Sequence, residues 1–421
     1  MNNILMIGGG VSGRAVAELA EALNIKCRIV NDIETVDCEL DEVFSGVDQV
    51  VVSPGVLPTS RLYIGAVERK ISVISELELG MRHFPGKCVA VTGTNGKTTT
   101  VELTEFILKK LGRSVVAAGN IGLPLSAVAA QIIRGEIKEA EKLFAVLEVS
   151  SFQLEHTHYL PAEAAVLLNI ESDHINRYPG GLAEYRSVKE RIFQQVPPEK
   201  CFYGCTMTGK AESGMFRIAD GMLYCGEKKV VELSKTALNA LHNRENLLAA
   251  LSLVQALLPL EEHLCELAGI LKEFKTGDHR ISLVTEINGV KYIDDSKATN
   301  PAAVIAAVKS LRTVPAKDIV LIAGGLDKDM DFSPLSSLAD YLRKVVVYGR
   351  CKDAVAAAFT GKVEVFDADC NFALAVDHAS EIALAGDIVL LSPAAASMDM
   401  FKDYKERGDV FAKLVRQLAE K

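Results

Sequence analysis

A chain of 421 residues, 49% hydrophobic and 24% charged, is long enough for roughly two to four domains, each with its own core. That balance excludes disorder, collagen-like structure and a disulfide-stapled miniprotein. With 55 Asp and Glu against 46 Lys and Arg the net charge is −9, and no Lys/Arg-rich run offers the basic surface a nucleic-acid backbone needs. No nucleic-acid partner is therefore expected, while local sites for small anions stay open.

From the N-terminus, short apolar runs alternate with helix-period segments. Asn3 to Ile7 reads as a strand, Ser12 to Leu23 as a helix, and Cys27 to Val30 and Val50 to Ser53 as further strands. Strand–helix–strand repetition predicts a parallel sheet. The turn Gly8-x-Gly10-x-x-Gly13 follows the first strand, and Asp32 ends the second. This pattern predicts a nucleotide site with Asp32 on a ribose hydroxyl, but a turn that merely lets helix and strand pack closely has the same spelling. The opening residues lack a basic n-region and no apolar run approaches the ~20 residues of a membrane span, so a cytoplasmic protein without a membrane partner is expected. Nine cysteines without paired Cys-x-x-Cys spacing favour free thiols; only Cys201-Phe-Tyr-Gly-Cys205 hints at a metal.

A second cycle runs from Cys88 to Thr92 through a glycine turn into a helix near Lys97 to Leu111, with further strands at Phe144 to Glu148 and Ala164 to Leu168. A third opens with a hairpin around Asn288-Gly289, whose tolerance of positive φ suits a two-residue turn. Strands follow at Ile319 to Ala323, Val345 to Tyr348, Val363 to Phe366 and Ile388 to Leu391. The expected fold is α/β in three domains: 1–87 Rossmann-like, 88–277 a P-loop ATPase-like parallel sheet, and 278–421 Rossmann-like again.

The strongest single signal is Val89-Ala-Val-Thr-Gly93-Thr-Asn-Gly96-Lys97-Thr98. An apolar strand feeds a glycine turn whose N–H groups can meet phosphate oxygens, and the next helix adds its positive end. Lys97 would reach the outer phosphates and the Thr98 hydroxyl would ligate Mg²⁺. The general P-loop has glycine where Val91 stands, so the loop is a variant. Glu148 ends an apolar strand, where doubly wound sheets gather ligands. Asn243 and Asn246 share a helix face, which suits either a ligand or an N-cap with a surface amide. Read alone, His174 is an ordinary histidine, Lys189 one more solvated helix lysine, and Lys328, after Gly324-Gly-Leu-Asp, a loop lysine or a ligand.

The string Val91 to Thr98 resembles the ATP loop of the Mur ligases and their folylpolyglutamate synthetase relatives, which join a carboxylate to an amine. Three more strings strengthen the likeness: Glu148-Val-Ser-Ser-Phe-Gln-Leu-Glu155, Asp295-Ser-Lys-Ala-Thr-Asn300, and Ser392 to Tyr404 with Glu406-Arg-Gly-Asp-Val-Phe411. The resemblance implies a monomeric, ATP-dependent amide-forming ligase of peptidoglycan precursor synthesis. Its substrates would be UDP-N-acetylmuramoyl-L-alanine and D-glutamate, joined through an acyl phosphate with two Mg²⁺ ions.

Roles follow by the same resemblance. Gly93, Thr94, Asn95, Gly96, Lys97, Thr98 and Thr99 would hold ATP phosphates, Asn243 and Asn246 adenine, Arg280 ribose or phosphate, Asp295 ribose, and Lys297 the γ-phosphate. Thr98, Glu148, His174 and a carbamylated Lys189 would ligate the metals. Val11, Ser12, Asp32, Asn120, Ser150 and Gln153 would take the UDP-sugar arm; Ile33-Glu34 stands where relatives carry a Thr-Arg pair, leaving the uracil contacts open. Thr299 and Lys328 would meet one carboxylate of D-glutamate, with Ser397, Met398 and Tyr404 at the other. Relatives often have cysteine where Ala395 stands, a small residue that fits the same loop. Closure of the domains around the substrates is expected. Two alternatives remain: a sibling ligase adding another amino acid, and a non-catalytic NAD-dependent protein, which would leave Lys97, Glu148 and Lys297 without a task.

Overall fold

The computed structural model describes residues 3–31, 40–173, 175–210, 212–327 and 330–419. The chain divides into two compact units, Met1–Ile170 with Gly180–Phe274, and Glu171–Pro179 with Lys275–Lys421.

In the first unit, β1 (Asn3–Ile7), α1 (Val11–Ala22), β2 (Lys26–Val30), α2 (Leu40–Phe44), β3 (Gln49–Val52), α3 (Arg61–Glu68) and β4 (Val73–Ser75) form a parallel sheet of order β2-β1-β3-β4. Beyond α4 (Glu76–Met81) come β5 (Lys87–Thr92), α5 (Lys97–Lys110), β6 (Val115–Gly119), α6 (Leu125–Ile133), β7 (Phe144–Glu148), α7 (Ser151–Leu154), β8 (Ala164–Leu167), α8 (Gly181–Glu190) and β9 (Cys201–Tyr203). Their strands make a second parallel sheet, β6-β7-β5-β8-β9. After α9 (Cys205–Thr208), a small antiparallel sheet of β10 (Glu212–Ser213), β11 (Phe216–Ala219), β12 (Met222–Cys225) and β13 (Lys228–Glu232) precedes α10 (Leu241–Leu257) and α11 (Leu264–Glu273).

The second unit holds β14 (Ser282–Ile287), β15 (Val290–Asp294), α12 (Pro301–Leu311), β16 (Ile319–Gly324), β17 (Leu342–Tyr348), α13 (Lys352–Ala358), β18 (Val365–Asp367), α14 (Phe372–Ile382), β19 (Ile388–Ala394) and α15 (Tyr404–Leu418). Its sheet runs β14-β15-β19-β16-β17-β18, parallel except for β14, which forms the predicted hairpin with Asn288 at φ 50° and Gly289 at φ 79°.

The period of two along each central strand explains why the parallel sheets are covered on both faces. In β5, Val89 and Val91 enter a core with Val101, Ile107 and Leu247, while Cys88 and Ala90 face one with Leu125, Leu147 and Leu154. In β16, Ile319, Leu321 and Ala323 pack with Val304 and Val355, and Val320 and Ile322 with Ala375 and Phe411. α4 and α6 serve two cores at once: Leu77, Met81, Leu125 and Val128 pack against the central sheet, Leu79, Ala129 and Ala130 against β1. That sharing makes the first 87 residues part of the same compact unit as the central sheet. No single helix among the described residues is long and apolar enough to cross a membrane.

The α4–α6 seam carries an ionisable group. The Glu76 Oε1 accepts the Ser126 N–H at 2.7 Å while the Ser126 hydroxyl donates to the Glu76 carbonyl at 3.0 Å. Burial pushes the Glu76 carboxyl up from 4.5 to about 7, against the pull of the Ser126 hydrogen bonds. The folded state therefore keeps a proton that the unfolded chain gives up, so this contribution to stability is complete below ~pH 4.5 and is lost as pH rises through ~7. Glu76→Gln keeps the acceptor for Ser126 and is expected to flatten the pH dependence of the urea midpoint across that window, an effect on the order of 3 kcal/mol.

Candidate active site

Strand β5 is buried from Cys88 to Thr92 and delivers the phosphate loop at its carboxyl end. The turn ends on Gly96, the N-cap of α5, at φ 83°, a left-handed conformation that suits glycine. A Cβ there would lie 2.3 Å from the Asn246 Oδ1, so the loop and the start of α10 close on each other at this residue. Gly96 brings no side chain to cap the helix, and the first N–H groups of α5 have no intrahelical acceptor, leaving a positive end for an anion.

Not every amide of the loop faces a ligand, however. The Thr94 N–H donates to the Asn169 carbonyl at 3.0 Å and the Asn95 N–H to the Asn169 Oδ1 at 2.8 Å. Asn169 thus engages the Thr94 and Asn95 amides from within the chain. Lys97 Nζ folds back onto the Gly93 and Thr94 carbonyls, 2.9 Å from each. Thr98 is half-buried beside it, and Thr99 is buried.

Lys189 is not the solvated lysine its sequence suggests. It is 1% exposed, donates to the Gly93 carbonyl at 2.8 Å and lies 4.7 Å over the Tyr185 ring. Two lysine amines, Lys97 and Lys189, therefore converge on one loop oxygen.

Glu148 pairs in register with Val91 across β5 and β7, which sets its carboxylate at the same sheet edge as the loop. Its Oε1 accepts the Asn120 Nδ2 at 2.9 Å, while its buried Oε2 has no hydrogen-bond partner among the described residues. An orphaned carboxylate oxygen costs about 1–3 kcal/mol unless something else is to occupy it. An oxygen ligand of this kind fits Mg²⁺. Among the described residues no group of three His, Cys, Asp or Glu makes a metal cluster by itself, and His174 lies outside them.

The residues expected at the UDP-sugar arm divide. Asn120 is exposed at the β6 turn, its N–H on the Glu148 carbonyl at 2.8 Å. Ser150 and Gln153 form a capping box at α7: the Gln153 N–H donates to the Ser150 hydroxyl at 3.3 Å, and the Ser150 N–H to the Gln153 Oε1 at 2.9 Å. Each therefore has a structural task already. In the N-terminal turn, a Cβ on Gly13 would come 2.2 Å from the Gly8 carbonyl, so close packing is one of its functions. Val11 is exposed and Ser12 half-buried at the start of α1. Asp32, Ile33 and Glu34 lie outside the described residues.

Asn243 and Asn246 are both buried on α10, and the Asn246 Nδ2 donates to the Asn243 Oδ1 at 3.3 Å. The helix is capped at Ala240, so neither amide is the N-cap that the sequence left open.

In the second unit, the residues named from the sequence gather at the carboxyl ends of the strands. Arg280 stands between His279 (φ 62°) and Ile281 (φ 49°), two non-glycine residues in the left-handed region. Such backbone costs about 1 kcal/mol or more per residue and concentrates at ligand sites. His279 Nδ1 meets the Asp294 Oδ2 at 2.6 Å. Asp295 is 6% exposed and accepts from the Ser392 hydroxyl at 2.7 Å and the Ile281 N–H at 3.3 Å; burial outweighs both bonds and pushes its carboxyl up to about 7. Lys297 Nζ lies 3.9 Å over the Tyr404 ring. Thr299 is half-buried ahead of the α12 N-cap, Ser397 is buried and Met398 exposed. Lys328 lies outside the described residues.

Sequence reasoning missed the residue that ties this cluster together. Arg407 is fully buried, donates to the Ser296 hydroxyl (2.9 Å) and carbonyl (2.8 Å) and to the Ala395 carbonyl (3.1 Å), and thereby joins the Asp295–Lys297 and Ala395–Ser397 turns. The available signal was its place on the buried stripe Arg407, Phe411, Val415 of α15, where an arginine is out of character.

Two family models match the chain. The family described as "Mur ligase middle domain" matches residues 91–211, and "Mur ligase, glutamate ligase domain" matches 279–395. A UDP-N-acetylmuramoylalanine--D-glutamate ligase of Thermoanaerobacter pseudethanolicus is 35% identical over 463 aligned positions, covering 99% of this chain and 98% of the relative. Two solved structures from Thermotoga maritima share the fold. A UDP-N-acetylmuramate-alanine ligase has a TM-score of 0.61 at 17% identity and full coverage of both chains. A MurF ligase in complex with ADP has a TM-score of 0.61 at 16% identity over 92% of each.

Proposed function

The chain belongs to the Mur ligase family, and on that premise we propose that it is the ATP-dependent ligase that joins D-glutamate to UDP-N-acetylmuramoyl-L-alanine in peptidoglycan precursor synthesis. The observation that carries the reading is the phosphate loop of Lys97 set in register beside the unpartnered oxygen of Glu148. A carboxylate does not accept an amine at neutral pH because oxide is a poor leaving group. The alanyl carboxylate therefore attacks the γ-phosphorus of ATP, ADP departs, and an acyl phosphate results. The amine of D-glutamate, having lost its proton, then adds to the acyl carbon and phosphate leaves. Such transfers depend on positioning and charge neutralisation more than on covalent help.

In this reading Gly96 to Thr99 and Lys97 hold the phosphates, and Asn243, Asn246, Arg280 and Asp295 hold the nucleoside. Lys297 balances charge on the transferred group. Thr98, Glu148, His174 and Lys189 as a carbamate would hold Mg²⁺, which when bound withdraws charge from the phosphoryl oxygens. Asn120, Ser150, Gln153 and the N-terminal turn with Val11, Ser12 and Asp32 serve the UDP-sugar. Thr299, Lys328, Ser397, Met398 and Tyr404 serve D-glutamate, within the divisions 1–87, 88–277 and 278–421. The enzyme would act in the cytoplasm as a monomer. The test is ADP release with UDP-N-acetylmuramoyl-L-alanine and each glutamate enantiomer: D-selective turnover is expected, and turnover with L-glutamate or L-alanine instead would assign the chain to a sibling activity.

A further inference from the structure

One buried carboxylate in the first unit has no task in the chemistry above. Glu245, on the first turns of α10, is 7% exposed and takes three hydrogen bonds. Its Oε1 accepts the Thr206 N–H at 2.9 Å and the Thr206 hydroxyl at 2.8 Å, and its Oε2 accepts the Asn169 Nδ2 at 3.3 Å. Asn169 is the residue that occupies the Thr94 and Asn95 amides, and its Nδ2 also reaches the Asn95 carbonyl at 3.3 Å. A carboxylate only accepts, so Glu245 and the Asn95 carbonyl together fix the Asn169 amide, its nitrogen toward these two acceptors and its oxygen toward the Asn95 N–H.

We propose that Glu245 is a positioning residue for the nucleotide: acting through the Asn169 side chain, it holds the Asn95 amide out of the phosphate site, beside the Thr94 amide that the Asn169 main-chain carbonyl engages, and leaves the amides from Gly96 onward to grip the phosphates. This rests on the reading of residues 93–99 as the ATP phosphate loop. The isosteric Glu245→Gln breaks the polarity of the relay. With its oxygen turned to Thr206, its Nε2 faces the Asn169 Nδ2, donor against donor. If the Asn169 amide turns over to relieve that clash, its nitrogen then confronts the Asn95 N–H. The double variant Asn169→Asp with Glu245→Gln repairs part of the pattern: an aspartate at 169 accepts from both the Asn95 N–H and the new amide with the total charge unchanged, and gives up the 3.3 Å bond to the Asn95 carbonyl.

The test measures ADP affinity by calorimetry and steady-state KM for each substrate, with the urea midpoint without nucleotide as a check on folding. Glu245→Gln is expected to weaken ADP binding and raise KM for ATP by about tenfold or more, with KM for D-glutamate unchanged. The double variant is expected to bind nucleotide more tightly than Glu245→Gln without reaching wild type, because the bond to the Asn95 carbonyl stays broken. Equal ADP affinity in Glu245→Gln and wild type, or a double variant no better than the single one, overturns the proposal alone. Failure of the wild-type chain to bind ATP or ADP would instead sink the phosphate-loop reading, and this inference with it.

Discussion

Glu148→Gln is expected to slow ATP-dependent ligation by on the order of 10²–10³-fold or more while leaving the protein as stable as before. The reasoning starts from the two oxygens of one carboxylate. Oε1 is engaged by the Asn120 amide at 2.9 Å, and glutamine keeps that acceptor. Oε2 is buried with no hydrogen-bond partner among the described residues, so no described hydrogen bond depends on it. Glutamine places an NH₂ group in its stead, with two donors facing the spot where a cation or its water would be held, and removes one negative charge. The expected signature is therefore specific: nucleotide binding without Mg²⁺ persists, Mg²⁺ no longer enhances it, and phosphate release collapses. A variant that keeps its Mg²⁺ response and turns over within tenfold of wild type would remove Glu148 from the metal site.

The same contrast, between what local pattern encodes and what only packing decides, governs how far the sequence could be read. The buried strands were legible because parallel strands covered on both faces are nearly continuous apolar runs; Asn3–Ile7 and Phe144–Glu148 each hold four apolar residues and carry their one polar residue at an end. The β10–β13 sheet was not read, because strands of two to five residues with mixed polarity, such as Glu212–Ser213 and Lys228–Glu232, carry no dependable period. At the site, the phosphate loop announced itself through glycine and lysine spacing. Lys189 and Glu245 did not, since each is polar on a helix and only tertiary packing shows that it is buried; Arg407 stood out only by its place on the stripe it shares with Phe411 and Val415. Asn169 is a related case: the residue after a strand is a natural ligand position, but that its side chain would seize an amide of the loop follows from the fold of residues 93–96 alone.

Lys189 offers the second large effect, and two substitutions separate its possible roles. As it stands, the side chain donates to the Gly93 carbonyl, the oxygen that Lys97 also approaches. A neutral amine can add to CO₂, forming an N–C bond and releasing a proton, and the product is a carbamate with two oxygens suited to a hard cation. If Lys189 serves as that carbamate, both Lys189→Met and Lys189→Arg should lose activity by about 10²-fold or more, because neither can carry the carboxylate. Wild type should lose activity on exhaustive removal of CO₂ and regain it with bicarbonate, and neither variant should respond. If Lys189 serves only as a cation bracing Gly93, arginine restores the charge and the hydrogen bond, so Lys189→Arg should remain active and bicarbonate should change nothing. Activity in Lys189→Arg together with a CO₂-indifferent wild type would therefore strip the carbamate from the mechanism while leaving the phosphate loop and Glu148 untouched.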